Sequence, residues 1–222
     1  MKFACVSVKG GAGKSTVAVN LAAEYLRQKR KVLVVDADPQ GTARVWSEVA
    51  AEAGRPTPAV VAMGKEMHRK GQLDRIATGF DVVAIDCPGR DGAVVRSALM
   101  VADIAVVPCG ASPADAWALA QTLDMIEEAR TLRPSLQVCV VITRKRETGI
   151  GKGAHSDLSA AGVPVSSVVL GERVAYQQAM GEGRGVTSYG LATPAAKEIR
   201  ALATYIEKLV EKANESTVAR VA

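Results

Sequence analysis

A chain of 222 residues suits one α/β domain and does not call for a second. Hydrophobic residues make up 48% of it and aromatics only 4%, so the core must be built from Val, Ala, Leu and Ile. With no uninterrupted apolar run of about 18 residues, and an N-terminus that passes straight into a strand-like segment, the sequence excludes a membrane-spanning helix and a secretory signal. The net charge of +5 permits an acidic partner such as nucleic acid without demanding one.

In chain order, residues 3–8 read as a first strand, closed by Lys9-Gly10-Gly11-Ala12-Gly13-Lys14-Ser15-Thr16 and a helix over 15–28. A second strand at 31–35 runs into Asp36-Ala37-Asp38-Pro39-Gln40. The Gly-Arg-Pro-Thr-Pro stretch at 54–58 is a loop, and 59–63 reads as a weak extra strand. A strand at 81–85 leads to Asp86-Cys87-Pro88-Gly89, and further strands are expected at 103–108, 137–142 and 165–170. Helices are expected around 92–102, 114–131 and 155–161. The apolar positions Ile199, Leu202, Ala203, Ile206, Leu209 and Val210 then recur at helical spacing, as in a helix docked on a core. Residues 1–213 form one domain and 214–222 a flexible tail. Val/Ile-rich strands alternating with helices predict an α/β fold, a doubly wound and mostly parallel sheet covered on both faces. Cys5, Cys87, Cys109 and Cys139 each lie in or beside an apolar run without CxxC spacing, and read as small hydrophobes in a reducing compartment.

Ligands of an open parallel sheet sit beyond the carboxyl ends of its strands. Three polar motifs converge on that edge here. Residues 8–15 match G-x-x-x-x-G-K-[ST] except that Val8 replaces the first glycine. Gly10, Gly11 and Gly13 let the backbone wrap closely around Ala12 and turn its N–H groups inward, and the helix that follows adds its positive end. Lys14 can reach the β- and γ-phosphates of a nucleotide, the Ser15 hydroxyl can ligate Mg²⁺, and Thr16 is placed for the α-phosphate.

Lys9 departs from an ordinary P-loop. With it, the pattern Lys-Gly-Gly-x-Gly-Lys-Ser resembles the deviant Walker A motif of the ParA/MinD ATPases, and the chain is most similar to the short plasmid-partition members. The resemblance implies a P-loop NTPase fold and hydrolysis of ATP with Mg²⁺. It implies that Lys9 crosses to the partner's nucleotide in an ATP-dependent homodimer. Asp38, in Asp36-Ala37-Asp38-Pro39-Gln40-Gly41, would position the attacking water, with Asp36 near the metal. Asp86, in Val83-Ala84-Ile85-Asp86-Cys87-Pro88, would hold a magnesium-bound water. Thr143 and Arg144 follow a strand end where the family contacts adenine. Ser112-Pro113, Ile142-Thr143-Arg144-Lys145 and Gly171-Glu172-Arg173 extend the likeness over roughly residues 3–210.

Residues 215–222 contain no Phe, Trp or Leu to insert into lipid, so no membrane partner is expected. The loop begins at residue 9, leaving no room before it for a helix-turn-helix. DNA would therefore be bound without sequence preference. From residue 130 onward there are 13 Lys and Arg against 8 Asp and Glu, an excess equal to the whole chain's +5. Candidate contacts are Arg144, Lys145, Arg146, Lys152, Arg173, Arg184, Lys197, Arg200, Lys208 and Lys212. The expected function is a nucleoid-associated, cytoplasmic partition ATPase. A partner protein, ParB-like or a centromere-binding adaptor, stimulates hydrolysis, and the cargo is a plasmid or chromosome. The alternatives are a protein cargo, such as a chemoreceptor cluster or enzyme compartment, and a metabolic P-loop enzyme.

Overall fold

A computed structural model describes residues 1–145, 154–160 and 162–221. Seven parallel strands form one sheet: β1 (Lys2–Cys5), β2 (Val32–Asp36), β3 (Ala59–Ala62), β4 (Val82–Asp86), β5 (Ile104–Cys109), β6 (Gln137–Lys145) and β7 (Val165–Gly171). Their spatial order is β3-β2-β4-β1-β5-β6-β7. The helices are α1 (Lys14–Arg27), α2 (Thr42–Glu52), α3 (Leu73–Ala77), α4 (Gly92–Val101), α5 (Pro113–Leu132), α6 (Ala154–Ala160), α7 (Val174–Gly181) and α8 (Pro194–Val221). Three of them, α2, α3 and α7, are not anticipated by the hydrophobic periodicity. Helix α8 continues to Val221, through most of the segment expected as a tail.

Successive residues of a strand point to opposite faces, and β1 sorts its side chains accordingly. Phe3 and Cys5 join Leu21, Tyr25, Trp46, Ile199, Leu202 and Ile206 in one core. Ala4 and Val6 join Leu33, Leu73, Leu99, Leu119 and Ile126 in the other. Helices α1, α2 and α8 thus cover one side of the sheet, and α3, α4 and α5 the other. All four cysteines are buried and free.

Two helix starts are written locally. Asp91 caps α4, accepting from the N–H groups of Ala93 at 3.0 Å and Val94 at 3.2 Å. Ser112 and Asp115 form a capping box at the start of α5, with Pro113 in its first turn. Because β1 lies centrally, with β4 on one side and β5 on the other, the loops after β1, β2, β4 and β5 and the end of β6 meet at one edge.

Candidate nucleotide site

The loop between β1 and α1 is shaped by glycine. Gly11 (φ 71°) and Gly13 (φ 100°) are left-handed, and Gly13 caps α1 with no side chain of its own. The loop is braced from outside. The Val8 N–H donates to Thr122 Oγ1 of α5 at 3.2 Å, at the position where the phosphate-loop pattern has glycine. Thr143 Oγ1, at the end of β6, donates to the Ala12 carbonyl at 3.2 Å. Thr143 therefore holds the loop rather than presenting a hydroxyl outward, and it is only 4% exposed.

Lys14 is 7% exposed and its Nζ donates to the Lys9 carbonyl at 3.1 Å, a neutral acceptor for a buried cation. Gly89 lets the loop after β4 come close: a side chain there would meet Lys14 Nζ at 3.2 Å and Gly10 N at 3.4 Å. Gly89 closes the strand-end motif at 86–89, and its value lies in this contact across the fold.

The two aspartates at the ends of β2 and β4 differ sharply. The Asp36 carboxylate is already engaged. It accepts from the Arg44 N–H at 2.9 Å and the Asp38 N–H at 3.3 Å, and lies 3.6 Å from Arg44 Nε. It thereby fixes the start of α2, each oxygen accepting one backbone N–H. Asp86 is fully buried, and neither carboxylate oxygen has a hydrogen bond among the described residues. Its carboxyl is pushed up to about 7, by burial first; the Ser15 hydroxyl and Lys14 pull against the rise, while Asp36 and Asp38 add to it. A buried, unsatisfied carboxylate beside a hydroxyl and a lysine suits a hydrated cation. No cluster of three or more His, Cys, Asp or Glu is present among the described residues. Asp38 is half-buried, and its Oδ1 accepts from the Gln40 N–H at 3.0 Å in a local turn.

Lys9 is only partly exposed. Its Nζ donates to Asp115 Oδ1 at 2.7 Å, joining the P-loop to the first turn of α5. Burial alone would raise the Asp115 carboxyl, but hydrogen bonds from Lys9 and Ser112 outweigh it and hold the group below the usual carboxylate range. Arg144, left-handed at φ 52°, brings its Nη2 to 4.0 Å from the same Oδ1. Asp115 carries no motif signal for this role, because its partner lies 106 residues away.

Beyond the P-loop a cavity of about 180 Å³ lies between Thr16, Thr143, Arg144, Gly171, Arg173 and Tyr176. It is smaller than the roughly 300 Å³ at which drug-sized pockets begin, a size for part of a ligand and not the whole. Lys9, the loop residues Gly10 to Thr16, Asp38, Asp86, Thr143 and Arg144 are thus brought to one edge. Asp36 is there too, but turned to α2.

Residues 3–186 match the CobQ/CobB/MinD/ParA nucleotide binding domain. The chain is 31% identical over 191 residues to the maintenance of carboxysome distribution protein A of Halothiobacillus neapolitanus, covering 85% of this chain and 87% of that one. It is 28% identical over 242 residues to the chromosome-partitioning ATPase Soj of Thermus thermophilus, covering 96% and 97%. Among solved structures, a Cyanothece McdA variant in complex with ATP superposes with a TM-score of 0.74 at 18% identity, over 95% of this chain and 96% of that one.

Proposed function

The chain belongs to the CobQ/CobB/MinD/ParA family and is one of its P-loop ATPases, acting on ATP with Mg²⁺; from that premise we propose that it positions a cargo by cycling on and off DNA as an ATP-bound dimer. The observation that carries the chemistry is the pair of unsatisfied Asp86 oxygens beside Lys14 and Ser15. Lys14, buried against a carbonyl, turns to the terminal phosphates, and the N–H groups of Gly10 to Thr16 line the polyphosphate. Ser15 and Asp86 would hold Mg²⁺, which when bound would neutralise phosphate charge. Asp38 orients the attacking water, and Lys9 crosses to the second subunit's nucleotide. Arg144 and its neighbours border the space for the base.

DNA contact is supported by a cleft of about 500 Å³ between α1, β7 and α8, with Arg27, Lys197, Arg200 and Lys208 on its walls. Arg27 was not among the expected contacts, and its guanidinium is also bonded to Glu24. Arg173 and Arg184 fit the role less well, being paired with Glu198 at 2.6 Å and Glu182 at 3.4 Å. Arg146 and Lys152 lie outside the described residues.

For the cargo we favour a DNA molecule, plasmid or chromosome, with a ParB-like or centromere-binding partner that stimulates hydrolysis. A second reading, an enzyme compartment, is favoured by the carboxysome distribution relative. The test is ATP turnover with and without DNA and with the product of the adjacent gene. The proposal expects low basal turnover that both additions raise together. Turnover indifferent to DNA and partner overturns it.

A further inference from the structure

The end of β6 is pinned to the phosphate loop by Thr143, and the next residue is forced out of the ordinary backbone regions. Arg144, at φ 52°, is one of two left-handed residues other than glycine among those described. Such a conformation is unfavourable for a long side chain and persists only where surrounding structure imposes it. Its result is to aim the guanidinium at Asp115, with Nη2 4.0 Å from Oδ1. That same oxygen accepts from Lys9 Nζ at 2.7 Å. The other oxygen, Oδ2, accepts from the Ser112 hydroxyl at 2.5 Å and the Ser112 N–H at 3.1 Å. Two cations thus address one carboxylate oxygen, one in contact and one just short of it.

Asp115 is 7% exposed, whereas Lys9 is 31% and Arg144 50% exposed. The two cations can move, but the carboxylate stays inside the capping box. When Lys9 leaves for a second subunit, Asp115 Oδ1 loses its close cation while remaining buried, which is far more costly than leaving an exposed charge unpaired. We propose that Arg144 closes the remaining gap and takes over Asp115 as Lys9 departs, so that it is a positioning residue for the trans lysine. This rests on the reading that Lys9 acts across a dimer. An arginine suits the exchange because it stays charged and can reach Oδ1 with several donors. The hand-over also links the nucleotide to the dimer, since β6 is tied to the loop through Ala12.

The experiment is ATP-dependent dimerisation, followed by sedimentation velocity over a range of ATP concentrations. It compares the native chain with Arg144→Gln, Arg144→Lys, Asp115→Asn and the double variant Arg144→Gln/Asp115→Asn. Arg144→Gln should raise the ATP concentration for half-dimerisation about tenfold, a modest effect for a half-exposed charge, and Arg144→Lys should restore most of it. Asp115→Asn keeps the cap but removes the charge, so it should dimerise at lower ATP than the native chain. In that background, Arg144→Gln should have no further effect. An equal loss from Arg144→Gln in both backgrounds overturns the inference, because Arg144 would then act on the nucleotide or elsewhere. A native chain that stays monomeric at saturating ATP overturns the dimer reading itself, and the inference with it.

Discussion

Lys9 and Lys14 stand in one loop, yet the fold gives them different neighbours. Lys14 is buried with a carbonyl as its acceptor, and Lys9 has a carboxylate. Replacing Lys14 with Ala should weaken ATP binding about a hundredfold, in the range of charge-assisted hydrogen bonds to phosphate. Lys9→Ala should leave monomer binding measurable while eliminating the dimer; titration with a fluorescent ATP analogue separates the two, and equal loss would confine Lys9 to its own subunit. If Asp38 orients the nucleophile as proposed, Asp38→Ala should bind ATP and dimerise but hydrolyse at least about a hundredfold more slowly in single turnover. Asp86 sets a pH dependence. Its carboxyl rises on folding from 3.8 to about 7, so between those values the folded state holds more protons than the unfolded one. Stability of the Mg²⁺-free, nucleotide-free protein should therefore fall as pH rises from about 4 to 7, by up to about 4 kcal/mol, and level off above. Asp86→Asn should flatten that slope in urea unfolding and abolish the tightening of ATP binding by Mg²⁺. A slope unchanged by the substitution would place the proton elsewhere.

Elements were legible to the extent that their burial is visible as a run or a period. The central strands are continuous Val, Ile, Leu and Ala, and β2 and β4 are buried at every residue. The helix α2 buries only Ala43, Trp46 and Ala50, a stripe of mostly small side chains that hydrophobic periodicity hardly registers. The helix α3 has five residues, and α7 buries only Tyr176 and Ala179. The placement of site residues was legible where it is local in sequence, as in the phosphate loop and in Asp86 at the end of β4. It was not legible where a side chain's partner is distant: Thr143 bracing Ala12, Asp115 holding Lys9, and Asp36 turned to α2. The turn after α7 shows the same limit. A side chain at Gly183 (φ +63°) would meet Ala50 N at 2.4 Å, so the turn lies flush on α2. Gly54 has a nearly identical φ of +65° with nothing within 4 Å. Gly54→Ala should therefore cost only about 1 kcal/mol of backbone strain. Gly183→Ala adds a collision with backbone and should cost about 3 kcal/mol. Thermal or denaturant unfolding of both variants tests the contrast, and equal losses would mean that the turn can shift away from α2.

At the scale of the whole molecule, the phosphate loop and the basic cleft are separated by the length of α1. The loop is at its N-terminal end, and Arg27 of the cleft is in its last turn. A DNA surface there would not touch the nucleotide, so on the proposed reading ATP gates it through dimerisation. On α8, Lys197, Arg200 and Lys208 fall on the cleft side, and the eleven steps from the first to the last span about 16 Å of helix at 1.5 Å per residue. One subunit would offer two or three phosphate contacts, too few to hold DNA at cellular salt. Two subunits joined at the nucleotide edge make the second set of contacts intramolecular, and the combined affinity rises without any new contact. If the dimer neutralises about four phosphates, the affinity for duplex DNA should fall with a log–log salt slope of about −3.6, roughly a hundredfold between 50 and 200 mM salt. Replacing Lys197, Arg200 and Lys208 with Gln should weaken binding uniformly across unrelated duplexes and make the slope shallower, whereas Lys9→Ala should remove the ATP dependence and leave only the weak monomer affinity. The measurement is binding to several unrelated duplexes with ATP, with ADP and without nucleotide over a salt series. Equal binding in the three nucleotide states would rule out gating by dimerisation, and strong preference for one duplex would rule out a surface that reads only the phosphate backbone.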